Sequence, residues 1–444
     1  MATFSLNDEQ GIEEEVQEKI PPYSWYVLAL LCLVYLMNFL DRTLIYILFP
    51  PIKREMVLSD LQLALLGTTS FVIFYTALGI PFGHLADRVV RKTMIAIGLA
   101  VWSLFSGLTG FATDFWTIFG CRVMVGVGEA TLGPAAMSLL SDFFPKRLRA
   151  TVQSIYSAGI PLGAAAAFFL GGALAEVLSW RWAFYLLGFP GLILTAFVLF
   201  IHEPPRGIGD NATSSNAANA AGCSRSSKSA FLALLSNRAL VLHHTGYALF
   251  AVATNSLSIW VPTLLNRAHE VSLVAIGTMT GMSMLVAGGL GTAFGGYIAD
   301  WFKKRLHGGR MLFTALSATV CAPLWLVFLL SGNLTVMIVC YVVLTGFGLV
   351  WLGPGAADVH DIVGPQLRGL GVGVYFFVVN IIGYGLGPPI IGQINDMLGV
   401  ATNPWNMHYG LLICPIACLG SALLLYTGAH SLQQMKKHTA EAMR

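Results

Sequence analysis

The sequence predicts an all-α integral membrane protein with twelve transmembrane helices in two pseudo-symmetric six-helix bundles, and three observations carry that prediction. Apolar residues make up 56% of the 444 and Asp, Glu, Lys and Arg only 11%, against about 25% charged in an average soluble domain; mean hydropathy is +0.72. Apolar runs of about 20 residues, the length a helix needs to cross a bilayer, recur about twelve times. They are continuous rather than alternating, which implies helices, because backbone groups in lipid must be satisfied within the segment. The third observation is a repeat. Gly83, Leu85, Ala86, Asp87, Arg88, Arg91 and Lys92 return in outline as Gly296, Ile298, Ala299, Asp300, Lys303 and Lys304. Gly126, Gly128, Leu132, Gly133 and Pro134 return as Gly346, Gly348, Leu352, Gly353 and Pro354. Both motifs recur after nearly half the chain, so the chain is two copies of one unit.

The spans fall near 24–49, 60–83, 92–112, 116–142, 150–174, 181–202, 237–266, 272–300, 310–330, 333–360, 367–393 and 405–428. The first follows an acidic tail, 1–23, whose Glu13, Glu14, Glu15 and Glu18 leave no cleavable signal peptide, so it anchors itself. The second ends on the Gly83 to Lys92 loop, which opens the third; the fourth carries Arg122 to Pro134. The fifth holds Gly159, Pro161, Gly163, Gly171 and Gly172, and the sixth stops before Glu203. Residues 24–202 form the N-terminal bundle, and 203–236, rich in Ala, Ser, Asn and Gly, a flexible linker. In the C-terminal bundle, 237–428, His243 and His244 open the seventh span at the interface, and the eighth ends on the second loop copy. A short loop at Asn333 separates the ninth from the tenth, which carries the second Gly-x-Gly; the eleventh starts at Arg368, and the twelfth precedes a tail, 429–444.

Basic residues orient the chain. Nineteen lie in loops on the side of the termini and four, Lys53, Arg54, Arg181 and Arg267, on the other. The positive-inside rule places both termini and the linker in the cytoplasm. The net charge of +3 is therefore a topology signal and gives no reason to expect nucleic acid.

Two further basic residues, Arg42 and Arg122, lie inside spans, accompanied by Asp41 and Glu129. An ionised residue at mid-helix costs about 2.5 to 3.5 kcal/mol, so the four cost roughly 10 kcal/mol before pairing, comparable to the whole stability of a typical domain. Arg122 and Glu129 are two turns apart on one face. Asn38, Arg42 and Tyr46 stack at four-residue steps on the first span. Asp41 and Arg42 point about 100° apart, so each is expected to find its partner across the bundle. A purely structural ion-pair network would add little net stability over apolar replacements. The favoured reading is a polar site in a water-accessible cavity, where protonating Asp41 or Glu129 releases an arginine for an anionic ligand. The second copy lacks these charges: Arg122 falls opposite Val342, Glu129 opposite Leu349, and Asp41 and Arg42 opposite roughly Thr254 and Asn255.

The duplicated loops suggest a breakable latch made of Gly83, Asp87, Arg88, Arg91 and Asp300. Pseudo-symmetry predicts that Asp87 faces Arg368 at the start of the eleventh span and Asp300 faces Arg149 at the start of the fifth. A carboxylate at a helix N-terminus gains about 0.3 to 1 kcal/mol from the dipole, and more when paired with Arg.

Other signals are weak. Cys32, Cys121, Cys223, Cys321, Cys340, Cys414 and Cys418 are scattered without metal or redox spacing and read as packing residues. Gly126-Val127-Gly128 has no preceding strand, which argues against a nucleotide loop. Asp358, His360 and Asp361 sit at a helix end where solvated polar residues are expected, so no metal is assigned. Asn333-Leu334-Thr335 matches a glycosylation acceptor, but its outside loop is very short, and a bacterial source would make it irrelevant. No catalytic triad or carboxylate pair assembles on loops, so the chain is not expected to be an enzyme.

The Gly83 to Lys92 loop, its degenerate copy, and Arg122, Gly126 and Gly128 resemble the major facilitator superfamily over essentially the whole chain, with Val90 standing where a second glycine is usual. Gly159, Pro161, Gly163, Gly171 and Gly172 resemble a partial form of the helix-bending motif of antiporters, which inclines toward exchange. Asn38-Phe39-Leu40-Asp41-Arg42, Glu203-Pro204-Pro205-Arg206-Gly207 and Glu129 after Arg122 resemble the spinster branch; the Asp-Arg pair also resembles organic-anion and sugar-phosphate carriers. The short tails resemble a bacterial member, which would lie in the inner membrane. The resemblance implies alternating access and proton-coupled transport of amphipathic lipids such as lysophospholipids or sphingosine phosphate. Asp41 and Glu129 would carry the proton, and Arg42, Arg122, Asn38 and Tyr46 would bind substrate or balance charge. Trp260, Trp351, Tyr375, Phe376 and Phe377 could accept a tail, though such aromatics are commonly packing. The expected partners are the substrate, H+ and membrane lipid; no cofactor beyond the proton gradient is expected, and the chain is expected to be a monomer. The alternatives are an organic-anion, sugar-phosphate or drug transporter of the same fold and, as the rival class, a sensor or passive lipid scramblase.

Overall fold

The structure, a computed structural model, describes residues 20–206, 234, 236–306, 308–363 and 367–442. Among them twelve helices are long and apolar enough to cross a membrane: α1 Pro22–Ile47, α2 Asp60–Ala86, α3 Arg91–Thr109, α4 Phe115–Phe143, α5 Thr151–Val177, α6 Trp180–Leu199, α7 Arg238–Ala268, α8 Leu273–Arg305, α9 Gly309–Leu330, α10 Leu334–Ile362, α11 Arg368–Met397 and α12 Pro404–Gln434. An even number of crossings puts the start of α1 and the end of α12 on one face, called here the terminal face; the other is the far face.

Side-chain caps fix several starts. Ser59 and Gln62 form a reciprocal capping box at α2, with bonds of 2.9 and 3.1 Å. Asp114, Asn237 and Ser272 accept from backbone N–H groups at the starts of α4, α7 and α8. Asn333, whose triplet matched a glycosylation acceptor, caps α10.

The repeat is visible in how the helices break. π-helical turns interrupt α2 at Leu65–Thr69 and α8 at Met284–Gly288. A break follows Glu129 in α4 and Gly348 in α10, in the same register between the halves. The ends of α2 and α8, Ala86 and Arg305, keep that register too. It is not the register of the loop motifs, since it sets Asp87 opposite Leu306 rather than Asp300. Asp87 caps the end of α2, but Asp300 lies inside α8, five residues before its last. The last helix also runs on to Ala442, past the boundary expected at 428.

Glycines set the closest helix approaches. A Cβ on Gly126 would lie 2.6 Å from the Phe71 carbonyl oxygen of α2, and one on Gly128 2.7 Å from that of Gly98 in α3. The Gly-x-Gly of α4 is thus a packing device that holds Arg122 and Glu129 against α1 to α3. Gly172 of α5 approaches Leu273 of α8 in the same way, at 2.4 Å, across the halves.

The apolar core shows which face is closed. One cluster runs from Tyr46, Phe49, Leu63 and Phe168 of the N-terminal half into Val252, Trp260 and Ile391 of the C-terminal half. Val27, Leu31, Met94, Leu139 and Val152, nearer the terminal face, form a separate cluster. Hydrogen bonds agree. Asp396 accepts from Asp60 N and Leu61 N at 2.8 and 2.9 Å, Arg267 holds Asp60 at 2.8 Å, and Glu176 accepts from Val274 N at 2.9 Å. Thr69 reaches the Gly385 carbonyl near mid-membrane. Among the described residues no bond or ion pair joins the halves at the terminal face, so the molecule is closed on the far face and parted on the terminal one.

Candidate functional site

Four charges inside the N-terminal bundle are brought together by α1, α3 and α4. Arg42 donates to Glu129 Oε2 through Nη2 at 2.7 Å and Nε at 3.1 Å. Charge assistance makes this one of the stronger contacts available to a guanidinium. The guanidinium also lies 4.5 to 4.8 Å from the rings of Phe39, Phe71 and Tyr75, favourable faces for a desolvated cation. Asp41 turns the other way, accepting from Ser106 Oγ of α3 at 2.7 Å. The adjacent residues therefore find separate partners across the bundle.

Among the described residues Arg122 pairs with no carboxylate. It donates to the carbonyls of Asp41 at 3.3 Å, Leu66 and Arg42 at 3.4 Å and Gly67 at 3.5 Å. Leu66 and Gly67 belong to the π-helical turn of α2, a feature frequent at functional sites, and the Leu66 carbonyl also accepts from Ser70 Oγ at 2.9 Å. Arg122 thereby joins α4 to α1 and α2.

The site is buried apart from one group. Asp41, Arg122 and Glu129 are at most 1% exposed, whereas the Arg42 side chain keeps 15%. Asp41 Oδ2 is buried without a hydrogen-bond partner, an acceptor lacking a donor, which is an unusual arrangement for a buried oxygen. Asn38 lies beside Glu129, and Tyr46 packs on Gly67 at the same level. Sequence reasoning did not find Ser106, Phe71, Tyr75 or Tyr384, the last facing Arg42 from α11. Uncharged residues in apolar spans gave no signal.

The terminal-face residues differ from expectation. Asp87, Arg88 and Arg368 are exposed and Gly83 meets no neighbour. Arg91 is buried, bound to Asp142 at 2.5 Å, to Glu203 at 2.7 Å and to Ser138 at 3.0 Å. Asp300 is held by Arg310 at 2.6 Å, and Arg310 also reaches Asp361 at 2.8 Å, as Lys303 does at 2.7 Å. Arg149 donates to the Ser141 carbonyl at 2.9 Å. The expected pairs Asp87 with Arg368 and Asp300 with Arg149 are therefore not formed, because the halves are parted on this face: Asp87 and Arg368 are exposed, and Asp300 and Arg149 bond within their own halves. Arg91 with Asp142 and Arg310 with Asp361 are the true symmetry mates, related by the same register as the two π-helical turns.

The linker also departs from a free tether. Glu203 accepts from Arg91 N, Arg91 Nε and Lys92 N, capping α3 where Val90 cannot. Arg206 donates to the carbonyls of Ala86, Asp87 and Val89 at the end of α2. Burial pushes the Glu203 carboxyl up, but the Arg91 and Lys92 hydrogen bonds outweigh it and hold it below the usual carboxylate range. Residues 207–233 and 235 lie outside the described residues.

Two further expectations are corrected. His243 and His244 are buried rather than interfacial, and Asp358 is 5% exposed rather than solvated, because α7, α9, α10 and α11 pack over them. Of the aromatics considered for an apolar tail, Trp260 and Tyr375 are fully buried in packing, Trp351 nearly so, and Phe376 and Phe377 are about half exposed.

Comparison with known proteins places this architecture. Residues 31–388 match the model of the Major Facilitator Superfamily. Protein spinster homolog 3 of Danio rerio is 28% identical over 93% of this chain and 86% of that protein. The hexuronate transporter of Bacillus subtilis is 27% identical over 89% and 93%. A bacterial homologue of the human lysosomal transporter spinster, solved inward-facing and unoccupied, superposes with a TM-score of 0.78 at 25% identity, covering 93% of this chain and 97% of that one. The chain belongs to the Major Facilitator Superfamily, as a membrane transporter of the spinster type rather than an enzyme.

Proposed function

We propose that this transporter moves anionic amphipathic small molecules of the lysophospholipid or sphingosine-phosphate kind and couples their movement to protons by alternating access. The observation that carries this reading is the Arg42 to Glu129 pair. A partly open guanidinium spends its two best hydrogen bonds on one oxygen of a fully buried carboxylate, whose other oxygen has no cationic partner among the described residues. A proton on Glu129 removes the charge that holds Arg42, and the freed fork matches a phosphate or carboxylate bidentately. By linkage, an anion that takes Arg42 raises the proton affinity of Glu129 to the same degree. Asp41, with one bare oxygen, is the second carrier. Arg122, bound to four carbonyls, holds the helices around the site and supplies positive potential; Asn38 and Tyr46 complete its wall.

The excess of basic residues on the terminal face supports cytoplasmic termini, and the proposal takes the protein as a monomer in a bacterial inner membrane. No cofactor other than the proton gradient enters this scheme. A passive scramblase or a sensor would need no titratable couple.

The test is uptake into proteoliposomes with and without an imposed pH gradient, for the wild type, Asp41→Asn and Glu129→Gln. Gradient-driven uptake that falls at least about tenfold in Glu129→Gln supports coupling; gradient-independent flux unchanged in both variants refutes it. Competition by lysophospholipids, sugar acids and sugar phosphates on the purified protein decides the substrate class. Inhibition by hexuronates but not by lysolipids would replace the lipid assignment with a sugar-acid one, in line with the Bacillus relative.

A further inference from the structure

A second polar cluster is buried in the C-terminal half, built by four helices and used by nothing described above. α7 contributes His243, His244 and Tyr247, α9 Thr314, α10 Asp358 and α11 Tyr375; each is at most 5% exposed. It lies within about two turns of the terminal face, since Asp358 is four residues from the end of α10 and His243 five from the start of α7. Tyr247 OH sits 3.1 Å from Thr314 Oγ1 and 3.4 Å from Asp358 Oδ2. His243 Nδ1 lies 3.0 Å from His244 Nδ1, and His243 Nε2 lies 4.0 Å from Asp358 Oδ2. Tyr375 OH is buried with no hydrogen-bond partner, while the backbone of Gly355 lies beside His243 and that of Gly371 beside His244.

Among the described residues no cation neutralises Asp358. The neighbouring positive charges are Lys303 of α8 and Arg310 of α9, and both bond to Asp361, one turn further along α10, with Arg310 also holding Asp300. His360 on α10 is exposed, and α11 offers only the uncharged Tyr375. A bare buried carboxylate is costly, so it binds a proton or acquires a cationic neighbour. The imidazoles limit the choice. One of the two facing Nδ1 atoms must donate to the other. If His243 donates, its Nε2 is an acceptor facing the carboxylate; if His244 donates, His243 Nε2 carries hydrogen toward it. In both cases His243 Nε2, at 4.0 Å, stands beyond a direct hydrogen bond but close enough for its tautomer and charge to act on the carboxylate.

From this geometry we infer that Asp358 is a second proton-binding site, with the His243 imidazole as the neighbour that sets its proton affinity, in the half that lacks the Arg42 and Arg122 counterparts. The proton is exchanged with water on the terminal face, and no bond other than N–H or O–H is made or broken. Loss of it leaves Asp358 to compete with Asp361 for Arg310 and Lys303, linking protonation to the charge network at the ends of α8, α9 and α10. The inference does not rest on coupling at Asp41 and Glu129.

Infrared difference spectroscopy of the purified full-length protein, titrated between about pH 4 and pH 10 without substrate or gradient, tests it. The wild type is expected to show a protonated-carboxyl band that disappears as pH rises. The band is absent in Asp358→Asn, persists in Glu129→Gln, and titrates with proton affinity changed about tenfold, one pH unit, in His243→Gln. A full set of bands in Asp358→Asn, or an unmoved midpoint in His243→Gln, overturns the inference. Should Asp358→Asn fail to fold, the midpoint of His243→Gln alone decides. A negative result leaves the proposal for Glu129 untouched, because that proposal is read from gradient-driven uptake.

Discussion

Arg267 Nη1 lies 2.8 Å from Asp60 Oδ1 and 3.1 Å from Oδ2, an ion pair that ties the C-terminal half to the N-terminal half on the far face. Lys53 shares the same buried carboxylate from within its own half. Asp396 reinforces the tie by accepting from the two N–H groups that open α2. The breakable latch that the loop repeat suggested for the terminal face therefore has its closed counterpart on the opposite side.

Removing the charge of Asp60 should open that side. A hydrogen bond to a charged group contributes about 1.5 to 3 kcal/mol, enough to move a two-state equilibrium by roughly 10- to 100-fold. In Asp60→Asn, cysteines placed on the far-face ends of α2 and α11 should become labelled faster by a membrane-impermeant reagent than in the wild-type background. Equal rates would show that the apolar contacts of Leu63 and Ile391 hold the face without the ion pair.

Arg42 and Glu129 should behave as one unit. Arg42→Ala leaves a buried unpaired carboxylate, a defect that costs about 3 to 5 kcal/mol where it has been measured. Adding Glu129→Gln should return a large part of that loss, so thermal unfolding of the two single variants and the double variant should show strong non-additivity. Arg42→Lys should not rescue transport, because an ammonium cannot reproduce the paired Nε and Nη2 bonds. Additive single effects would mean that the pair is not formed in the folded protein.

The twelve spans, the two copies and the positions of the intramembrane charges are legible because each rests on a strong local signal: run length, a motif at half-chain spacing, or a charge where lipid forbids one. That Arg42 looks away from Asp41 follows from helix geometry alone. What faces it does not, since Ser106, Tyr75 and Tyr384 are ordinary residues in apolar runs, and their role depends on which helices meet. The terminal-face pairs escape the sequence because the loop motifs set Asp87 opposite Asp300, while the helix ends and ion pairs follow another register, with Arg91 opposite Arg310 and Asp142 opposite Asp361. His243 and Asp358 read as interfacial or solvated from their nearness to helix ends; burial there is decided by the packing of α7 and α11, which sequence position does not report.

The two Gly-x-Gly copies should respond differently to a methyl group. Gly126→Ala places a Cβ 2.6 Å from the Phe71 carbonyl oxygen, a backbone atom that cannot swing aside, whereas the nearest atom to a Cβ on Gly346 is 3.5 Å away, ordinary contact. Overpacking of this kind costs about 1 to 3 kcal/mol. Gly126→Ala should therefore lower the unfolding temperature measurably and Gly346→Ala should leave it near the wild-type value. The reverse order would mean that α4 does not rest on α2 as described.

Glu203 gives a pH signature that separates a docked linker from a loose one. Its carboxyl is held below its ordinary value of 4.5, since burial is outweighed by hydrogen bonds from the Arg91 side chain and the Lys92 and Arg91 N–H groups. A group with a depressed folded-state pKa contributes stability that is fully present above its unfolded value and disappears as pH falls through the folded one. Glu203→Gln should accordingly unfold at a lower temperature than the wild type at neutral pH, and the difference should shrink as pH drops below the usual carboxylate range. Scanning calorimetry of both proteins across that interval measures it. A difference that is absent at neutral pH would show that the Glu203 to Arg206 segment does not hold the α2 to α3 turn, and a difference that persists unchanged into acid would assign it to packing rather than charge.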